Sequence, residues 1–244
     1  MSALIDYTLH LADNALILGQ RNSEWCGHGP ILEQDIAITN ISLDLIGQSR
    51  SLYQYAAQLK ADGSTEDSLA YLRTEREFKN CLLVEQPNGD WAQTMLRQFL
   101  FSSYQFYLYK YLQGNTDKTI AAIAEKSLKE VSYHLRWSSE WVIRLGDGTE
   151  ESRNRMITSI DELWRYTGEL FIAAPYEIEL NIDLASLKTE WDNKVKAVME
   201  EATLPVPEKL FMQTGGKTGT HTEQLGYILS DLQYMQRAYP GCEW

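Results

Sequence analysis

Glu130 and His134 stand four residues apart in LKEVSYHLRW (128–137), and Asp44, Gly47 and Gln48 stand together in ISLDLIGQSR. On a helix, a carboxylate and an imidazole so spaced lie on neighbouring faces and could reach one metal ion. A carboxylate-bridged di-iron site asks for more: a Glu from each of two helices and Glu-x-x-His from each of two others. The residue three before His134 is Val131; Gln48 stands where the second histidine is required, and Leu45 lies three before it. A neutral amide is a poor ligand for ferrous iron beside imidazole or carboxylate. Glu130 leaves a relaxed spacing open. Of the other histidines, His10 falls on a helix that should give a lone Glu, His28 in a loop and His221 at a helix start. The pattern is that of a di-iron bundle with its ligands lost, although Asp44, Gln48, Glu130 and His134 could equally form a hydrogen-bonded core cluster in a helical protein of other ancestry.

The elements that must carry these residues are helices. Leu4, Tyr7, Leu11, Ala15 and Leu18 recur at three- and four-residue steps and predict a helix over 3–20. A long helix follows from Ile31 to about Lys60, a shorter one over about 66–84, then one over about 91–112 after the turn residues of QPNGD. The decapeptide that holds His134 belongs to a helix over 117–145 ending at Gly146, a candidate C-cap. A fifth helix covers about 151–172, AAPYEIELNIDLAS reads as irregular, and another helix runs over about 187–202 until LPVPEKL stops it. Thr220 and Glu223 have the spacing of a capping box ahead of a last helix to about Ala238. The expectation is an all-α four-helix bundle at about 3–145 with accessory helices at about 151–244, together one domain over 1–244.

Composition narrows the class. The 244 residues are 44% hydrophobic and 23% charged, ordinary for a globular chain, and no apolar run reaches the ~20 residues needed to span a bilayer. MSALIDYTLHLADNALILGQ carries acids within its apolar pattern and reads as an amphipathic helix, not a signal peptide, which points to the cytoplasm. Cys26, Cys81 and Cys242 are odd in number and have no C-x-x-C spacing, against both a disulfide framework and a thiolate metal site. A net charge of -12 disfavours nucleic acid and anionic membrane as partners.

Arg73, Arg76 and Lys79 recur every three residues in YLRTEREFKN, either as a stripe facing phosphates or as a solvated face paired with Glu75 and Glu77. TGGKTG lacks the G-x-x-x-x-G-K-[ST] spacing and follows no strand, so a turn or partner-binding loop is favoured. Tyr104, Phe106, Tyr107, Tyr109 and Tyr111, with Trp137 and Trp141, read as core and interface packing.

EWCGHGPILEQDIAITNISLDLIGQSR, YLRTEREFKNCLLVEQPNGDWAQTMLRQF, LKEVSYHLRW and TGGKTGTHTEQLGYILSDLQYMQRAYPG resemble, in the same order and over nearly the whole chain, the C subunits of bacterial ring-1,2-phenylacetyl-CoA epoxidases. The resemblance is weakest over 172–200. It implies a ferritin-like fold and a non-catalytic partner to a homologous A subunit. That A subunit holds the di-iron centre and adds one oxygen atom to the ring of phenylacetyl-CoA, in aerobic phenylacetate catabolism. Electrons pass from NADPH through a reductase subunit with flavin and an iron-sulfur cluster. No cofactor is implied in this chain.

The resemblance further implies substrate contacts from Glu77, Phe78, Lys79 and Asn80 and from Ile178, Glu179 and Leu180. Acids in PYEIEL would meet a CoA phosphate badly, so backbone or apolar contacts are expected there. Asp44, Gln48, Glu130 and His134 are expected as vestiges of a metal site. A self-sufficient ferritin-like di-iron oxidoreductase with relaxed ligand spacing is the competing reading. Tyr227, Leu232, Tyr234 and Met235 on the last helix are candidate contacts to the catalytic subunit.

Overall fold

The computed structural model describes residues 2–208 and 210–242. All regular elements among them are helices: α1 (Ala3–Ser23), α2 (Leu32–Lys60), α3 (Glu66–Tyr71), α4 (Leu82–Glu85), α5 (Trp91–Leu112), α6 (Lys118–Gly146), α7 (Glu150–Leu163), α8 (Pro175–Glu179), α9 (Leu184–Glu201), α10 (Glu223–Leu232) and α11 (Tyr234–Ala238). The all-α, ferritin-like class expected from periodicity and resemblance holds. They gather into two compact units, one of the described residues within 1–85, 173–181 and 214–244, the other of those within 86–172 and 182–213.

In the first unit α1 packs along α2. Leu9, Ala12, Ala15, Leu16, Ile17 and Leu18 are all buried, so α1 is enclosed on nearly every side and not merely amphipathic. Gly19 sits where a side-chain carbon would lie 3.3 Å from both Leu45 and Ile46, which lets the two helices come close. α2 ends where Ala61 turns left-handed at φ 50°.

In the second unit α5 is the enclosed helix, with Met95, Leu96, Phe99 and Leu100 buried, and α6, α7 and α9 pack on it. α6 turns a stripe of Ile120, Ala124, Val131, Leu135 and Val142 inward. Caps set the helix starts: Asp90 accepts from Gln93 N at the start of α5, and Asp117 from Thr119 and Ile120 N at the start of α6. Tyr104 and Tyr109 are core, Tyr111 is exposed, and Trp91 meets Trp137 and Trp141 edge-on at 6.1 Å. Gly146 ends α6 but not as a left-handed cap; a side chain there would lie 2.4 Å from Ala202 O, so the glycine serves a close approach of α9.

Four predicted elements differ. The helix expected over 66–84 is three short pieces, α3, a 3-10 turn at Glu75–Glu77 and α4. The segment expected over 151–172 is helical only to Leu163 and continues as 3-10 turns at Trp164–Tyr166 and Gly168–Phe171. The stretch expected to be irregular contains α8: Pro175 takes the first helical position, and Glu177 accepts from Ala174 N at 2.8 Å. At the C-terminal end Thr222, not Thr220, stands before α10, and the helix breaks at Gln233, whose amide donates to Ala70 O and Arg73 O.

Candidate substrate-contact site

Polar side chains one turn apart on α1 explain why residues 73–81 leave the helix. Asp13, fully buried, accepts from Tyr53 Oη at 2.5 Å, Lys79 N at 2.7 Å and the Arg73 guanidinium. Lys79 O accepts from His10 Nδ1 at 2.7 Å, and Cys81 N donates to Asn14 Oδ1 at 2.8 Å. The chain at 79–81 therefore finds its hydrogen bonds on α1 rather than within itself. Burial, opposed by the neighbouring Asp13, acts on the Arg73 guanidinium, and the net result holds its pKa above the ordinary value. Burial pushes the Tyr53 phenol well up, with the Asp13 charge acting in the same direction.

Neither the phosphate-facing stripe nor the solvated helix face paired with Glu75 and Glu77 is formed, because the segment is not one helix. Arg73 turns inward, with its guanidinium 4.2 Å from the Phe78 ring centre; Arg76 is exposed; Lys79 is half-buried, its ammonium 3.5 Å from Asp6 and 5.6 Å from the centre of the Tyr176 ring.

A second buried acid, Glu85, receives Asn80 Nδ2 at 2.8 Å, His221 Nδ1 at 2.8 Å, and both the backbone N and the hydroxyl of Thr222 at 2.7 Å. His221 Nε2 lies 3.0 Å from Phe78 O. A carboxylate and a carbonyl both accept, so both ring nitrogens donate and the ring is an imidazolium. Burial works against that charge, but the Glu85 hydrogen bond and charge outweigh it and raise the pKa above the ordinary value.

A third acid, Glu177 on α8, pairs with Lys217 Nζ at 3.0 and 3.1 Å, both side chains being almost wholly enclosed. His10 Nε2 stands 4.0 Å from Glu177. Since Lys79 O accepts from Nδ1, the neutral ring keeps its proton there. Burial pushes the His10 pKa down to about 4, Lys217 acts in the same direction and Glu177 opposes both.

TGGKTG is thereby explained. Gly215 has φ 136° and Gly219 φ 85°; side-chain carbons at Gly216 and Gly219 would fall 2.4 Å from Asn80 O and 2.3 Å from Arg76 O. The glycines lay this loop directly on 76–82, and its lysine goes inward to Glu177, while Tyr176 Oη donates to Lys217 O at 3.1 Å.

The two segments expected to contact substrate are brought together. Lys79 from one and Glu179 from the other line a cavity of about 300 Å³ with Asp6, Tyr176 and Lys217. Their side chains are not equally available. Phe78 and Asn80 are wholly buried, whereas Glu77 is exposed but holds the Thr74 backbone N at 2.7 Å. That hydrogen bond, with the one from the Thr74 hydroxyl, lowers the Glu77 pKa. Ile178 is 65% exposed, Glu179 exposed and Leu180 half-buried.

Asp44 and Gln48 lie one turn apart on α2 in the first unit, Glu130 and His134 one turn apart on α6 in the second. Gln48 and His134 are buried, Asp44 and Glu130 half-buried. Leu45 and Val131, where a second set of ligands would stand, are fully buried apolar side chains. Leucine and valine offer no donor atom to an iron, and among the described residues no group of three or more His, Cys, Asp or Glu side chains is placed to hold a metal ion.

Sequence reading missed the buried acids Asp13, Glu85 and Glu177 and their partners. Asp13 and Glu85 showed as single acids inside apolar runs, LADNALIL and CLLVEQ, but the charged partners Arg73, His221 and, for Glu177, Lys217 lie 60, 136 and 40 positions away.

Residues 1–244 match the model of the family described as phenylacetic acid catabolic protein. The chain is 47% identical, over 249 aligned residues that cover all of both chains, to the C subunit of the 1,2-phenylacetyl-CoA epoxidase of Escherichia coli (strain K12).

Proposed function

The chain belongs to the phenylacetic acid catabolic protein family, and from that premise we propose that it is the non-catalytic, substrate-positioning subunit of an oxygenase that epoxidises the ring of phenylacetyl-CoA. It works in the cytoplasm as a heteromer with a catalytic A subunit and a reductase. Oxygen activation resides in the di-iron centre of that A subunit, with electrons from NADPH through flavin and an iron-sulfur cluster.

What supports the reading is the meeting of the segments 77–80 and 178–180 at one cavity, together with the occupation of would-be ligand positions by Leu45, Gln48 and Val131. In this reading Lys79, the half-buried cation of the cavity, meets a CoA phosphate, and Ile178 offers apolar contact to the thioester arm. Glu77 and Glu179, being acids, contribute through their backbone. Phe78 and Asn80 act from inside: Phe78 packs against Arg73, and Asn80 is tied to Glu85. Asp44, Gln48, Glu130 and His134 are the vestige of a metal site.

Co-expression with an A subunit should give one co-eluting species that turns over phenylacetyl-CoA when reductase is added, while this chain alone is inactive and holds no stoichiometric iron by elemental analysis. Full epoxidation by the A subunit alone would sink the proposal. Stoichiometric iron in this chain, lost on His134→Ala, would establish the self-sufficient alternative instead.

A further inference from the structure

The buried Glu177–Lys217 pair stands at the wall of the cavity: Lys217 is one of its lining residues, and Glu177, which is not, holds the lysine from inside. We propose that Lys217 is a positioning residue: through Glu177 it fixes α8, and with it Ile178 and Glu179, at a set place opposite Lys79. This inference rests on the reading of 77–80 and 178–180 as substrate contacts.

Three observations carry it. First, α8 has five residues and so little helical cohesion of its own; it is tied at Glu177 by Lys217 Nζ and at Tyr176 by Lys217 O. Second, the loop that supplies Lys217 is itself seated on the other contact segment, with Gly216 against Asn80 O and Gly219 against Arg76 O, where no side chain fits. One loop thus touches both walls of the cavity, and Lys217 and Thr218 complete its lining. Third, the pair is enclosed beside a His10 ring whose Nδ1 is spent on Lys79 O, so the same cluster grips the backbone of the first segment. A buried pair contributes little net stability compared with apolar groups of similar volume, and its better-attested use is to specify geometry.

The test is made in the reconstituted epoxidase with Lys217→Met, Glu177→Gln, the double variant K217M/E177Q, and Lys79→Ala and Ile178→Ala as probes of the contact surface. Each single change of the pair leaves a buried group unmatched and should lower the melting temperature. The double variant removes both charges yet keeps an acceptor for Ala174 N, and should melt close to the parent. Positioning predicts that the double variant still shows KM for phenylacetyl-CoA raised about tenfold with kcat unchanged. It also predicts amide exchange at 177–180 faster by about tenfold, with the rest of the first unit unaffected. Recovery of both KM and exchange in the double variant would show that the pair matters only to stability and would overturn the proposal. If Lys79→Ala and Ile178→Ala raise KM but the double variant does not, the positioning role alone fails. If those two surface variants leave KM unchanged, the substrate-contact reading falls and the proposal with it.

Discussion

Glu85 and His221, 136 positions apart in the chain, meet at 2.8 Å with both side chains enclosed. The contact ties the start of the C-terminal segment to the end of α4, and Thr222 adds two more hydrogen bonds to the same carboxylate. The link is an ion pair because Phe78 O and Glu85 together leave the ring no role as an acceptor.

The pair makes stability depend on pH on the alkaline side. The folded-state pKa of His221 lies above its unfolded value, so the stabilisation is fully present below the unfolded pKa and is lost as pH rises through the folded one. Denaturant midpoints measured from about pH 6 to about pH 9 should fall with rising pH in the parent, and His221→Gln should flatten that fall while lowering stability at the acid end of the range. An unchanged slope in the variant would assign the alkaline loss to another group.

His10 acts in the opposite sense. Its pKa is depressed to about 4 by burial, so the unfolded chain binds the extra proton first and stability falls as pH drops from about 6.5 toward 4. The contribution at stake is roughly 3 kcal/mol. His10→Asn should reduce this acid sensitivity, read as a shallower decline of melting temperature between those two values. A decline as steep as that of the parent would remove His10 from the account.

Asp13 is the hub for Arg73, Tyr53 and the backbone of Lys79. Asp13→Leu strands a buried guanidinium and should cost about 3–5 kcal/mol, whereas Tyr53→Phe removes one neutral donor and should cost about 1 kcal/mol. Adding Arg73→Met to Asp13→Leu should recover part of the loss. Equal effects of the two single variants on the denaturant midpoint would contradict the ranking.

Tyr227 and Tyr234 are each 62% exposed and Met235 42%, a concentration of large apolar groups on the last two helices. Such groups suit the core of a subunit interface. Tyr234→Glu should weaken co-elution with the catalytic subunit at least about tenfold by titration and leave the melting temperature of the isolated chain unchanged, since the side chain is mostly in solvent. Undiminished co-elution would place the interface elsewhere.

The long helices were legible because each is decided locally. Trp91–Leu112 and Lys118–Gly146 begin at Asp90 and Asp117, acids that cap the first turn, and keep apolar residues at helical spacing throughout. Reading 66–84 as one helix failed because its course is decided by His10, Asp13 and Asn14, which take its backbone hydrogen bonds from another helix, 69, 66 and 67 positions away in sequence. α8 had a local signal in Pro175 and Glu177 that the acidic composition around it concealed. Helicity, the presence of Leu45 three residues before Gln48 and of Val131 three before His134, and the likeness to relatives are all readable along the chain. That Arg73 is internal rather than part of a phosphate-facing stripe, that Lys217 of a glycine-rich loop pairs with Glu177, and that residues 79 and 179 share a cavity emerge from the three-dimensional packing alone. The physical reason is that burial of a charge has to be matched by a partner, and partners are chosen by proximity in space, which periodicity along the chain does not encode.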